Sequence, residues 1–222
     1  MARKPADQSV SRDEIIMAAA DVLRRNGYEA TTMKDIAAQV NLTAASLYHH
    51  FTNKDTLLLA VLEGGLDYVI ERLEPVVNSD RSNAEKFREM VRLHITGVTS
   101  NTAVGAAMVF EVRPLMNFSV PQRIPPHIVA DIEQEFITRR DSFFTRRDYF
   151  ESLFQEVVQS GIESKEFCKI DVPIFVKTVL GAHNWVGVWY KEGGRLDGGA
   201  IADIIADIFL RSLICPDGES GE

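Results

Sequence analysis

The side chains with the most chemical content lie between residues 127 and 160, where Phe136, Arg140, Phe143, Arg147, Phe150 and Phe154 follow one another at spacings of four and three. Residues so spaced share one face of an α-helix, which puts two guanidinium groups on an aromatic seam. A buried charge without a partner costs several kcal/mol, the scale of a protein's whole stability, so each arginine calls for an anion. On earlier segments His94 interrupts the stripe of Phe87, Met90, Val91 and Val98, and Glu111 interrupts that of Val104, Met108 and Leu115. Two readings stay open. In one, Glu111 and an arginine form an internal ion pair with His94 hydrogen-bonded nearby. In the other, these groups are the few polar contacts of an apolar pocket walled by Met108, Phe110, Phe118, Phe143, Phe150, Trp185 and Trp189. Such a pocket suits a ligand with an acyl or aromatic body and an anionic head, which a guanidinium fork holds bidentately. No two of His94, Glu111 and His183 have metal-ligand spacing, so no metal site is read.

The elements that would position these residues are helical throughout, so the fold class is all-α. Ser11 and Glu14 make a capping box ahead of a stripe of Ile15, Ala19, Val22 and Leu23, with Gly27 placed to end that helix. Thr32 caps a short helix of Met33, Ile36, Ala37 and Val40, Asn41 tolerates a left-handed turn, and Thr43 caps a third helix. There Ala44, Leu47, Tyr48 and Phe51 fall on one side, leaving Ala45, Ser46, His49 and His50 on or near the other. This is a helix-turn-helix with a small polar outer face. Asn53 caps a fourth helix carrying Leu58, Leu62, Leu66, Val69 and Leu73, which Pro75 should end. Gly64-Gly65 within it is either a compliant point or a place of close packing. Further helices are predicted at about 83–100, 103–116, 127–160, 171–191 and 200–214, and the prolines Pro121, Pro125 and Pro126 mark an irregular connection. Three units result: a helix-turn-helix domain over 1–56, a larger helical bundle over 57–216 and a frayed tail over 217–222.

The chain has 222 residues, 45% hydrophobic and 25% charged, which excludes a disulfide-stapled miniprotein and a disordered chain. No apolar run approaches a membrane span and no secretory leader is evident, so a cytoplasmic protein is expected. Cys168 and Cys215 read as isolated side chains. The net charge of -8 argues against a polyanionic partner when taken alone, yet residues 1–58 hold seven basic side chains against seven acidic ones, and the whole deficit lies beyond them. There is no P-loop, nucleophile elbow, dinucleotide fingerprint or zinc-protease motif, so neither an enzyme nor a cofactor is expected.

The stretch Thr31-Thr32-Met33-Lys34-Asp35-Ile36-Ala37, followed by Leu47-Tyr48-His49-His50-Phe51 and Asn53-Lys54-Asp55, resembles the DNA-binding domain of TetR family transcriptional repressors. The resemblance implies a homodimer on a palindromic double-stranded DNA operator, with a reading head and an inducer-binding helical domain in each subunit. By position it makes Thr43, Ala45, Ser46 and His49 base-reading or near-base residues, and Thr32, Tyr48, His50 and Lys54 phosphate contacts. Arg3 and Lys4 would form a mobile arm. Ala45 suits a thymine methyl, whereas Ser46 donates or accepts and discriminates weakly. Asn41 stands where the family commonly has glycine, and Ala44 where a polar residue is common.

The ending His183-Asn184-Trp185-Val186-Gly187-Val188-Trp189-Tyr190, with Gly193-Gly194-Arg195-Leu196 and Ile201-Ala202-Asp203-Ile204, is similar to a TetR subgroup that responds to acyl-CoA thioesters and controls fatty-acid or steroid catabolism. Ile201, Ile204, Ile205, Ile208 and Phe209 form an apolar face expected at the dimer interface. The expected function is a repressor released from its operator by a small molecule such as an acyl-CoA or another anionic amphipath. The rival within the fold is a multidrug-type sensor of cationic or neutral compounds, and the rival outside it a helical-bundle enzyme.

Overall fold

The computed structural model describes residues 10–100, Val104, Leu115 and residues 126–214, with 126–130 and 132 described by backbone alone. Arg3, Lys4, Met108, Phe110, Glu111, Phe118 and Cys215, most of the helix expected at 103–116, the stretch 117–125 and the tail 217–222 lie outside the described residues. Among the described residues there are eight helices and no strand: α1 (Arg12–Ala30), α2 (Met33–Gln39), α3 (Ala44–His50), α4 (Lys54–Val77), α5 (Asn83–Ser100), α6 (Pro126–Glu163), α7 (Val172–Trp189) and α8 (Gly198–Leu213).

Local chemistry sets the boundaries of the first four. The Ser11 amide donates to Glu14 at 2.7 Å while the Glu14 amide donates to Ser11 Oγ at 3.1 Å, and Thr32 with Asp35 repeats the box on α2. Gly27 has the left-handed φ of 73°, yet helix resumes beyond it to Ala30, so it kinks α1 instead of ending it. Asn41, at φ 55°, closes α2. The Leu42 amide reaches the Ala37 carbonyl at 2.9 Å and the Asn41 amide the Ala38 carbonyl at 3.3 Å, the crossed pair of bonds of a Schellman motif. Pro75 does not end α4: the helix runs to Val77 because the backbone amide and side-chain Nδ2 of Asn78 both donate to the Glu74 carbonyl and hold the last turn.

Lys54, expected on phosphate, is half-buried and bonded within the protein. Its Nζ donates to the carbonyls of Tyr28 at 2.6 Å and Thr31 at 2.9 Å and lies 4.0 Å from the centre of the Tyr28 ring. The Tyr28 hydroxyl in turn donates to Asp55. The first turn of α4 is thereby tied to the end of α1, and the reading head to the helix that leaves it. Replacing Lys54 with Met, which keeps the stem and removes the ammonium, is expected to destabilise the protein by about 1–3 kcal/mol in urea titration, the worth of charged hydrogen bonds.

Two sets of ion pairs fix how the body helices lie. Arg139 reaches Glu63 at 2.5 Å and Arg146 reaches Asp67 at 2.6 Å, so α6 runs beside α4 in the same direction. Arg88 meets Asp207 at 2.6 Å and Arg92 meets Asp203 at 3.2 Å, which sets α8 antiparallel to α5. The exposed pairs among these add little stability but specify register, and only Arg139–Glu63 is half-buried. The stability lies in the core between them, where Leu62, Leu66, Phe87, Met90, Val91, Phe136, Phe143, Phe154 and Val176 are fully buried or nearly so. Gly198 opens α8 where a Cβ would stand 2.0 Å from Thr99 Oγ1, a closeness that only glycine permits. Cys168 is disulfide-bonded, which corrects the expectation of an isolated thiol.

Candidate functional site

On α3 the side chains divide as a 3.6-residue period requires. Leu47 is fully buried and Phe51, its C-cap, nearly so, whereas Ala45 and His49 are exposed and Ser46 is half-buried. Tyr48 does not join Leu47 inside, because its direction from the helix axis carries it outward; it and His50 flank the exposed strip. Thr43 Oγ1 accepts the Ser46 amide at 3.0 Å and lies 2.9 Å from Ser46 Oγ, so the two hydroxyls orient each other. Thr32 is exposed, but its hydroxyl donates to Asp35 at 2.6 Å; that bond holds the Asp35 carboxyl below its ordinary pKa. The structure thus brings Thr43, Ala45, Ser46, Tyr48, His49 and His50 onto one outward surface. Lys54 is half-buried and its ammonium donates to two backbone carbonyls.

A cavity of about 500 Å³ lies where the head meets the body. Asp13, Ile16 and Met17 of α1 border it on one side, and Gly64, Gly65, Leu66 and Val69 of α4 form another wall. Val61 and Tyr68 of α4, His94, Gly97, Val98 and Ser100 of α5, Arg147 and Phe150 of α6 and Asn184 of α7 complete the described lining together with Val104. A Cβ on Gly64 would meet nothing within 4 Å, so this glycine is not a site of close packing; it widens the cavity.

Of the expected ligand contacts, His94, Arg147 and Phe150 border this space and four do not. Arg140 folds onto its neighbour Asp141 at 2.8 Å. Phe143 is buried against Phe144, ring centres 5.4 Å apart. Trp185 and Trp189 are 59% and 46% exposed, because the inward face of α7 is set by Val176, Val179, Leu180, His183 and Val186, and positions 185 and 189 fall on the opposite side. Ile16, Met17 and Asn184 were missed. The signal for the first two was present: large apolar residues beside, and not on, the stripe of α1. Arg147 stands apart electrostatically. Arg139, Arg140 and Arg146 each pair with a carboxylate, whereas Arg147, the one arginine of α6 at the cavity, has no acidic partner among the described residues.

His94 meets a second buried imidazole. Its Nδ1 lies 3.1 Å from Nδ1 of His183, and its ring centre is 5.1 Å from that of Phe150. Burial holds His94 down to about 4 and, with the charge of His94, holds His183 well below 6.5. Both rings are therefore neutral at pH 7. Because the unfolded chain takes up these protons near pH 6.5 and the folded one does not, stability is full above that pH and falls as pH drops toward about 4. Each ring contributes at most about tenfold in the folding constant per pH unit. Denaturation midpoints measured at pH 7.5, 6 and 5 should show the decline, and it should be shallower in His183→Leu.

A third feature is an uncovered apolar face on the last two helices. Ile174, Trp185, Val188 and Trp189 of α7 and Ile204 and Ile208 of α8 are exposed. Ile201 belongs to the subunit's own core, and Ile205 and Phe209 are partly buried against it, Phe209 with its ring centre 5.7 Å from that of Phe175. Only Ile204 and Ile208 of the expected interface residues therefore face fully outward.

A capped helix-turn-helix with an exposed polar strip, joined through one continuous helix to a bundle with an apolar cavity, defines a DNA-binding regulator. Residues 15–61 match the bacterial regulatory proteins of the tetR family, and residues 131–213 match the tetracyclin repressor-like C-terminal domain. The chain belongs to the TetR family of transcriptional regulators. It is 26% identical to the HTH-type transcriptional repressor KstR2 of Rhodococcus jostii over 97% of this chain and 99% of that protein. It is 22% identical to the fatty acid metabolism regulator protein of Bacillus subtilis over 90% and 94% of the two chains. Its fold is shared with AibR, solved in complex with isovaleryl coenzyme A and operator DNA, at a TM-score of 0.72 with 23% identity over 91% of this chain and 99% of that one. These relatives are regulators, not enzymes. Among the described residues no helix is long and apolar enough to cross a membrane, and no cluster of metal-ligating side chains occurs.

Proposed function

We propose that the protein is a dimeric repressor whose α3 strip enters the major groove of a palindromic operator, and that it is released by an anionic amphipath, a coenzyme A thioester being the class favoured. The observation that carries the ligand class is Arg147, an exposed guanidinium at the rim of a largely apolar cavity and without an acidic partner among the described residues, although Asp13 of α1 also borders the space. Apolar walls supply affinity for an acyl or polycyclic body, and the planar fork supplies the match to phosphate or carboxylate. The relatives support the same class: AibR is known in complex with isovaleryl coenzyme A, and the Bacillus relative regulates fatty acid metabolism. For DNA, Ala45, Ser46 and His49 are assigned to base edges and Thr43, Tyr48, His50 and the backbone near Thr32 to phosphates. The exposed α7–α8 face, with Trp185, Trp189, Ile204 and Ile208, is assigned to the second subunit.

Ligand and operator are coupled through α1 and α4, both of which wall the cavity and hold the head. A ligand shifts the equilibrium only by its differential affinity for the two arrangements, so the coupling is reciprocal. Calorimetric titration with octanoyl-CoA should give weaker binding in the presence of an operator duplex obtained by in vitro selection, by the same factor by which octanoyl-CoA weakens the duplex. Equal affinity with and without the duplex removes the mechanism.

A further inference from the structure

The His94–His183 pair has two possible proton arrangements, and the surroundings choose between them. Each ring is neutral and carries one N–H, and one of the two facing Nδ1 atoms must hold a proton to bond the other across 3.1 Å. If His94 held it, His183 would carry its hydrogen on Nε2. That atom is fully buried and has no hydrogen-bond partner, so a donor would be left unmet in the core. An orphaned buried donor is rarer and costlier than an under-used acceptor. The arrangement that avoids it places the proton on His183 Nδ1, which donates to His94 Nδ1. His183 Nε2 is then a bare acceptor, and His94 carries its hydrogen on Nε2. His94 borders the cavity; His183, wholly enclosed, does not.

Resting on the thioester reading above, we infer that His183 fixes the tautomer of His94 so that His94 Nε2–H serves as a hydrogen-bond donor to a carbonyl oxygen of the ligand. His94 is the specificity-determining residue and His183 the positioning residue. The cavity then reads two features of one molecule: an anion at Arg147 and an uncharged acceptor at His94, between apolar walls. A hydrocarbon chain or an ether of the same shape fills the space but leaves the donor unmet.

The test uses the full chain and two probes, octanoyl-CoA and S-octyl-CoA, the thioether that lacks only the carbonyl oxygen. The thioester is expected to bind about tenfold more tightly to the wild-type protein, the factor of one hydrogen bond made or left unmade. In His94→Phe the preference should shrink to within about twofold. In His183→Leu, which frees the tautomer, the preference should fall, and in His183→Gln, which restores a donor toward His94 Nδ1, it should recover. Long-range proton–nitrogen correlation spectra of the wild-type protein should show His94 protonated on Nε2 and His183 on Nδ1. Equal affinity for the two probes, or the opposite tautomers, overturns this inference and leaves the anionic-ligand reading standing. Failure of both probes to bind overturns the reading and the inference together.

Discussion

Ser46→Glu is expected to reduce affinity for a selected operator duplex by about a thousandfold while leaving the fold intact. Ser46 is half-buried on the strip that also carries Ala45 and His49, and its backbone amide, not its side chain, completes the Thr43 cap. The substitution therefore costs the protein little more than the 2.9 Å contact between two hydroxyls. Against DNA it places a carboxylate among phosphates, where like-charge juxtaposition costs several kcal/mol, and every 1.4 kcal/mol is about tenfold. Anisotropy titrations at two salt concentrations, with thermal melting as the control on folding, measure both. Unchanged affinity would take α3 out of the interface, and the same loss in His49→Glu would confirm that the strip as a whole is engaged.

Arg147→Met should weaken octanoyl-CoA about tenfold to thirtyfold and leave operator affinity unchanged, whereas Arg140→Met should stay within about twofold on both. The two arginines were equivalent on the helical wheel. They separate because Arg140 already has Asp141, while Arg147 reaches the cavity without an acid beside it. The lower end of the range reflects solvent around the guanidinium, since screened charges discriminate less than buried ones. If Arg140→Met weakens the ligand as much as Arg147→Met does, the anion sits elsewhere along α6.

The reading head was legible in the sequence because its determinants are local. Caps act over three residues and stripes over seven, so Ser11 with Glu14, Thr32 with Asp35 and Asn41 could be placed without the rest of the chain. The partners of Lys54 were hidden for the opposite reason: the carbonyls of Tyr28 and Thr31 lie more than twenty residues away and no short pattern announces them. The same holds for the carboxylates that claim Arg139 and Arg146 from α4, and for the approach of His183 to His94. The tryptophans are a different failure. Position 185 lies about 200° around a helix from His183, so once the inward face of α7 is known both Trp185 and Trp189 must point away; their size alone had suggested a wall.

That α1 and α4 both border one cavity separates occupancy from response. Ile16 and Met17 belong to the head, Leu66 and Val69 to the body, and a molecule must be large enough to touch both groups before its presence can favour one spacing of the heads over another. In a homologous series of thioesters, affinity should rise with each added methylene from the first, whereas derepression should set in only past a threshold chain length. Members below that threshold would behave as silent competitors, blocking the longer inducers without lifting the repressor from DNA.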